Sequence, residues 1–298
     1  MAGLKEVRIR IASVKSTQQI TNAMRMVAAS KLRKAQTAIL KLRPYAGKLR
    51  DILNNLSDSV GDSNENAFTQ DRIPRKILLV VIASNRGLCG AFNANIIKTA
   101  IQLIQTTYAG QSSEGNVGLV CIGRKASDFF RKRNFRVIEM RDDLLDGISF
   151  EKISQFAGKL MKAFDEKEYD QIQLIYNQFK NAAVQRLIVE QFLPIQPVQS
   201  ETAKQEKKQA VQADYIFEPD KETIVRNLIP KTLRIQLYKA ILDSFASEHG
   251  ARMTAMQRAT DNAREMLRDL QLSYNKARQA AITKELLEIV SGAEALKG

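Results

Sequence analysis

The chain has 298 residues, 44% of them hydrophobic and 26% charged, the balance of a soluble protein with room for about two domains. Its formal net charge is +14, with one histidine and two cysteines, which excludes a disulfide framework, a histidine-built metal centre and a histidine-pair catalyst. A field this one-sided needs a polyanionic neighbour.

From the start, residues recur at alternating steps of three and four: Leu4, Val7, Ile11, Val14, the polar Gln18, Thr21 and Arg25, then Ala28, Leu32, Ala35, Ile39, Leu42, Ala46, Leu49, Leu53 and Leu56. A repeat of 3.5 residues held this long predicts one helix of a coiled coil over residues 1–57, its polar seam positions fixing register at some cost in stability. Pro44 predicts a bend, because its ring crowds the Leu40 carbonyl and removes a hydrogen bond. Residues 1–50 hold twelve Lys and Arg against one acid, Glu6, a net +11. A solvated coiled-coil face mixes signs, so this arm is expected to face nucleic acid, anionic lipid or acidic protein loops. A zipper protein would place its basic residues before the seam, whereas here the two overlap. Tyr45 is the arm's one aromatic, which argues against base stacking on single strands. A basic coiled-coil nucleic-acid-binding protein stands as the alternative reading.

Residues 57–74 lose the periodicity and fill with Ser, Asp, Asn, Gly and Pro, a linker. An α/β domain is expected over 75–220. Its strands are read at Ile77–Ala83, Val117–Ile122, Arg136–Met140, Gln171–Tyr176 and Arg186–Phe192, with a short last one at Ala213–Phe217. Helical spacing covers 92–108, 124–133 and 150–166, and the alternation predicts a layered, mostly parallel sheet. The polar segment 200–212 reads as a loop or frayed hairpin tip. Gly87-Leu-Cys-Gly90 lacks the phosphate-loop spacing and its lysine. Gly123-Arg124-Lys125 could present a helix start to an anion, but a glycine turn leaving a strand is the stronger reading. Asp142 and Asp143 read as a solvated loop, His249 as a helix-packing residue, and Cys89 and Cys121 as reduced, partly buried thiols. No cofactor or metal is expected.

Helix returns from Pro230 onward, within a C-terminal arm taken as 221–298. Between Lys231 and Ser291 there is no proline and one glycine, Gly250. A second seam runs through Met256, Thr260, Ala263, Leu267, Leu270, Tyr274, Ala277 and Ala281. Roughly sixty residues at 1.5 Å each give a rod of about 90 Å, too long to bury itself in so small a domain. Its partner is therefore the N-terminal helix, antiparallel because one domain lies between them. The expected fold is a long antiparallel coiled coil of N- and C-terminal helices with an inserted Rossmann-like α/β domain. Past Ala281 the apolar face broadens (Ile282, Leu286, Leu287, Ile289, Val290, Ala293, Leu296), and such a tip needs a sleeve. The longest apolar run, Ile77–Ala83, is far short of the ~20 residues of a spanning helix.

Three segments carry a family resemblance. They are IASVKSTQQITNAM (11–24) with MVAASKLRK (26–34), RGLCG (86–90), and ATDNA (259–263) through LQLSYNKARQAAITKE (270–285) to EIVSGA (288–293). Together they resemble the gamma subunit of F-type ATP synthases, the rotating central stalk, of the bacterial kind. The resemblance implies a non-catalytic shaft that carries torque between a membrane-embedded, proton-driven rotor ring and a ring of alpha and beta subunits, where the beta subunits do the nucleotide chemistry. The basic arm, with Arg33 and Lys34, would face acidic beta loops. Arg278 and Gln279 would engage a beta or alpha loop, while Met24, Arg252, Thr283 and Glu285 match positions tied to coupling. Leu286, Leu287, Ile289 and Val290 would turn in an apolar bearing. The α/β domain would stand as a foot on the rotor (c) ring beside the epsilon subunit. The subunit would be peripheral, on the cytoplasmic face of the bacterial inner membrane, with no span of its own and no nucleic acid partner.

Overall fold

The computed structural model describes residues 4–57, 68–69, 72–182, 184–195 and 221–295. The chain divides into two compact units: residues 1–29 with 252–298, and residues 30–251.

Two helices run through both units. The first, α1, spans Leu4–Ser57 and continues through Pro44. The last, α6, spans Lys221–Ala295 and contains Pro230. The helix runs through Pro230, from which the helical pattern reads in the sequence. A proline inside a helix sacrifices one hydrogen bond. Ile229 and Leu233, buried in the core on either side of it, hold the helix in place. The two helices run in opposite directions, since Thr21 meets Thr260 in one unit and Arg43 lies beside Asp243 in the other.

In the second unit, β1 (Ile77–Ile82), β2 (Val117–Ile122), β3 (Val137–Met140), β4 (Gln171–Phe179) and β5 (Gln185–Leu193) form one sheet in the order β3-β2-β1-β4-β5. The first four are parallel and β5 returns antiparallel on β4. β4 runs three residues beyond the expected Tyr176, because that return pairs Phe179 with Gln185. Central β1 is buried along its whole length, which its unbroken apolar sequence requires. Its alternate side chains point to opposite faces. Ile77, Leu79 and Val81 pack with Phe92, Ile96 and Ala100 of α2 (Phe92–Gln105) and with Phe130 of α4 (Arg124–Lys132). The short α3 (Ala109–Ser113) follows α2. On the other face, Leu78, Val80 and Ile82 pack with Ile153, Phe156 and Phe164 of α5 (Phe150–Asp165).

That second face also receives α6. Leu233, Leu237, Ala240 and Ile241, spaced as one helical stripe, belong to the same core. The first part of the C-terminal helix is therefore also a layer of the α/β domain. The linker reading is corrected at its end. Phe68 packs on that core, its ring 6.4 Å from Phe164, and its carbonyl accepts from the Ile195 N–H at 2.8 Å. The expected strand at Ala213–Phe217 and the 200–212 loop lie outside the described residues.

In the first unit the two seams are visible as burial. Thr21 and Ala28 of α1 and Met256, Thr260 and Ala263 of α6 are buried. Leu4, Val7, Ile11, Val14, Gln18, Arg25, Leu267, Leu270, Tyr274, Ala277 and Ala281 are half-buried among exposed neighbours. The cadence continues along α1 in the second unit, where Leu32, Ala35, Ile39 and Leu49 are buried.

Candidate functional site

The helix surface beyond the seams is where an outside partner can act. Arg278, Gln279, Thr283 and Glu285 are all exposed. On a 3.6-residue helix, Arg278, Ile282, Glu285 and Ile289 form one strip and Gln279, Thr283, Leu286 and Val290 its neighbour. The Thr283 hydroxyl donates back to the Gln279 carbonyl at 3.0 Å, and Lys284 pairs with Glu288 at 3.6 Å. These are local contacts of a solvated helix, and they leave the Arg278 guanidinium and the Glu285 carboxylate facing outward.

Every residue from Ile282 to Ala295 is exposed. Among them, Leu286 is 57% exposed, Leu287 65%, Ile289 67% and Val290 57%. Four large apolar side chains open to water within five residues are the mark of a surface made to be covered.

The other anticipated positions divide. Arg33 and Lys34 are exposed on α1 in the second unit. Met24 is half-buried in the first unit, and Arg252, at 7% exposure, is buried. Arg252 can therefore influence an outside partner through the placing of α6 rather than as open surface. The structure brings the tip residues and Arg278, Gln279, Thr283 and Glu285 together on one helix end, and the remaining four stand elsewhere along the arms.

The α/β unit shows how its glycine turns are used. Gly123, at φ 108°, leaves β2 so tightly that a Cβ there would stand 2.6 Å from the Ala83 carbonyl oxygen. The first N–H groups of α4 are already taken, Arg124 donating to Asn85 Oδ1 at 3.1 Å and Lys125 to the Ser84 carbonyl at 3.0 Å. An anion would have to displace both. Asp142 opens a short 3-10 turn, where Arg124 lies 3.6 Å away, and Asp143 accepts two bonds from Arg141. Those bonds hold the Asp143 carboxyl below its ordinary range. The two adjacent acids thus diverge into separate ion pairs. Both thiols are buried more deeply than the sequence suggests, Cys89 at 1% exposure and Cys121 at 0%. Burial, with Asp142 adding to it, pushes Cys121 up to about 12, which leaves it protonated and unreactive. His249 is buried with its ring edge-on to Phe245 at 4.4 Å, a packing residue as expected.

One partly buried polar cluster was not legible in the sequence. Glu190 of β5 accepts from the Tyr176 hydroxyl at 2.6 Å and from the Gln236 amide at 2.8 Å. Asp243 of α6 is 3% exposed and lies within reach of the charges of Lys239, Arg43 and Glu190. The same stretch of α6 buries Ser244, Ser247, Glu248, His249 and Arg252 beside apolar side chains, so no contrast in the sequence marks Asp243.

The protein family described as ATP synthase matches residues 3–296. An ATP synthase gamma chain of Flavobacterium johnsoniae is 54% identical over 298 residues, covering 100% of both chains. One from Cytophaga hutchinsonii is 50% identical over 296 residues, covering 99% of each. Among solved structures, a chain of the Tetrahymena thermophila mitochondrial ATP synthase central stalk and c-ring is 26% identical with a TM-score of 0.58, over 80% of this chain and 99% of that one. A chain of the Euglena gracilis mitochondrial assembly of OSCP, F1 and c-ring is 22% identical with a TM-score of 0.67, over 98% and 94%, and shares the fold. Two long helices around an inserted α/β sheet, matched from end to end at half identity, have one explanation: the chain belongs to the ATP synthase gamma chain family.

Proposed function

We propose that this chain is the turning central shaft of a bacterial F-type ATP synthase, a non-catalytic subunit that carries torque between an ion-driven ring in the membrane and catalytic sites on surrounding beta subunits. The observation that carries the reading is the end of α6, fourteen exposed residues from Ile282 to Ala295 that present large apolar side chains to solvent and call for a sleeve. Three alpha and three beta subunits in a ring would supply that sleeve. Arg278, Gln279, Thr283 and Glu285 would meet their loops, with Met24 and Arg252 placing the shaft against them. Exposed Arg33 and Lys34 on the basic arm would face acidic beta loops. The α/β domain would stand on the c-ring beside epsilon. No helix among the described residues is long and apolar enough to cross a membrane. A peripheral place on the cytoplasmic face of the inner membrane fits a subunit held by its partners.

The physics is differential contact. Three identical catalytic sites can differ only if something asymmetric touches each differently, and a ligand or partner shifts an equilibrium only by its unequal affinity for the two states. A chain whose outward face changes around the helix provides that inequality. The nucleic-acid reading has no support, since every relative and neighbour named above is an ATP synthase component. The test is single-molecule rotation. The chain is assembled with alpha and beta subunits on a surface, with a bead on its α/β domain. ATP should drive unidirectional turning in steps of a third of a circle. A complex that hydrolyses ATP with a stationary bead would refute the shaft.

A further inference from the structure

In an open α/β sheet the ligand crevice lies beyond the carboxyl ends of the strands, where the strand order reverses. Here the order β3-β2-β1-β4-β5 reverses between β1 and β4. That crevice is filled by α6. The Ser244 hydroxyl donates to the carbonyl of Ile82, the last residue of β1, at 3.3 Å. The Ser247 hydroxyl donates to the carbonyl of Asn177 in β4 at 2.9 Å. Gly250 brings the helix against the turn after β4, where a Cβ would stand 3.3 Å from both the Cα and the carbonyl oxygen of Ala182. Ser244 and Ser247 are 2% and 0% exposed. The three positions follow one another at steps of three on one side of the helix.

We propose that Ser244, Ser247 and Gly250 are positioning residues that form the joint through which torque passes between the α/β domain and the shaft. The proposal rests on the rotor reading above. Among the described residues, neither hydrophobic core of the sheet contains a residue of α1, whereas Leu233, Leu237, Ala240 and Ile241 of α6 lie within one of them. The load between sheet and helices therefore enters through α6. Apolar packing resists separation but is non-directional, so on its own it lets a helix creep or turn slightly under load. A hydrogen bond is directional and weakens steeply with misalignment. Two hydroxyls bonded to the end of β1 and to Asn177 in the last part of β4, with a backbone contact one step further on, fix the rotation and the height of the helix against the sheet. The crevice that holds a ligand in other sheets of this topology here holds the chain's own helix.

The experiment uses the whole enzyme in inverted membrane vesicles carrying Ser244→Ala with Ser247→Ala, beside the unaltered chain. Failure of the unaltered enzyme to pump would count against the rotor reading and not against the joint. ATP hydrolysis by the detached catalytic sector should stay within twofold of the unaltered enzyme. Protons pumped per ATP should fall at least threefold, most steeply against a preformed proton gradient. A cross-link between Ala182→Cys and Gly250→Cys, formed by a mild oxidant in the same background, should restore pumping, because it replaces the lost bonds with a covalent one. Pumping unchanged in the assembled double variant overturns the proposal. If the double variant does not assemble, the cross-link in the otherwise unaltered chain decides: preserved pumping supports a rigid joint, and abolished pumping that returns on reduction shows that the contact must move, which overturns it.

Discussion

Asp243 is the most informative single residue. Burial pushes its carboxyl from 3.8 up to about 6, while Lys239 and Arg43 pull it down and Glu190 raises it further. A folded-state value above the unfolded one means that the fold prefers the neutral acid. The stabilisation is complete below pH 3.8 and is lost as pH rises through about 6. The two-unit difference corresponds to about 3 kcal/mol. Comparing urea midpoints of the full-length chain with those of Asp243→Asn should show the variant gaining on the parent by that order between pH 4.5 and pH 7.5, where the parent must keep a buried charge. Equal midpoint differences at the two pH values would mean that the carboxylate is adequately solvated or paired. No pattern in the sequence announces such a group. Asp is expected to be exposed in a helix, and only the sheet on one side and α1 on the other make this one dry.

At the scale of elements, legibility followed periodicity. The seam of α1 predicts burial position by position, because a 3.5-residue repeat and a helix surface are the same geometry. β1 and β2 are legible as unbroken apolar runs, since both faces of a central parallel strand are covered. The passage of α6 through Pro230 is not legible, because proline marks a boundary only where tertiary packing does not hold the helix through it. Nor is the burial of Arg252, since sequence shows that an arginine is present and not how deeply it lies. The polar gap in the seam has a partner, however. The Thr260 hydroxyl lies 2.9 Å from the Thr21 hydroxyl, and both bond to carbonyls of their own helices. Removing one hydroxyl strands part of the other's bonding, whereas removing both leaves matched apolar surfaces. Thr260→Val and Thr21→Val should each cost about 1 kcal/mol, and the double variant less than their sum, a coupling of roughly 0.5–1 kcal/mol in a double-mutant cycle. Strict additivity in thermal unfolding would show that the two hydroxyls act separately.

For the whole molecule, fold and function are legible to different degrees for a physical reason. The chain's own contacts specify two helices and a sheet, but the surface that acts is defined by what it lacks, and only a partner completes it. Arg278 states the problem at one position. It lies off the seam beside the half-buried Ala277, exposed, on the stretch that leads into the apolar tip. Within an assembled enzyme its planar guanidinium could make a bidentate contact with a carboxylate or donate to loop carbonyls at a partly dry interface. A charged hydrogen bond there contributes about 1.5–3 kcal/mol, and only the part that differs between rotary positions affects turnover. Arg278→Ala should leave helix content and unfolding temperature unchanged, since no seam contact is lost. Steady-state ATP hydrolysis, or protons pumped per ATP, should fall in the assembled enzyme. Arg278→Lys should restore it only in part, because an ammonium keeps the charge without the planar fork. Lys276→Ala, which removes a neighbouring exposed charge from the same helix, should leave both rates near their starting values. Full activity and coupling in a normally assembled Arg278→Ala enzyme would reduce this arginine to a solvated charge and return the burden of contact to the apolar tip alone.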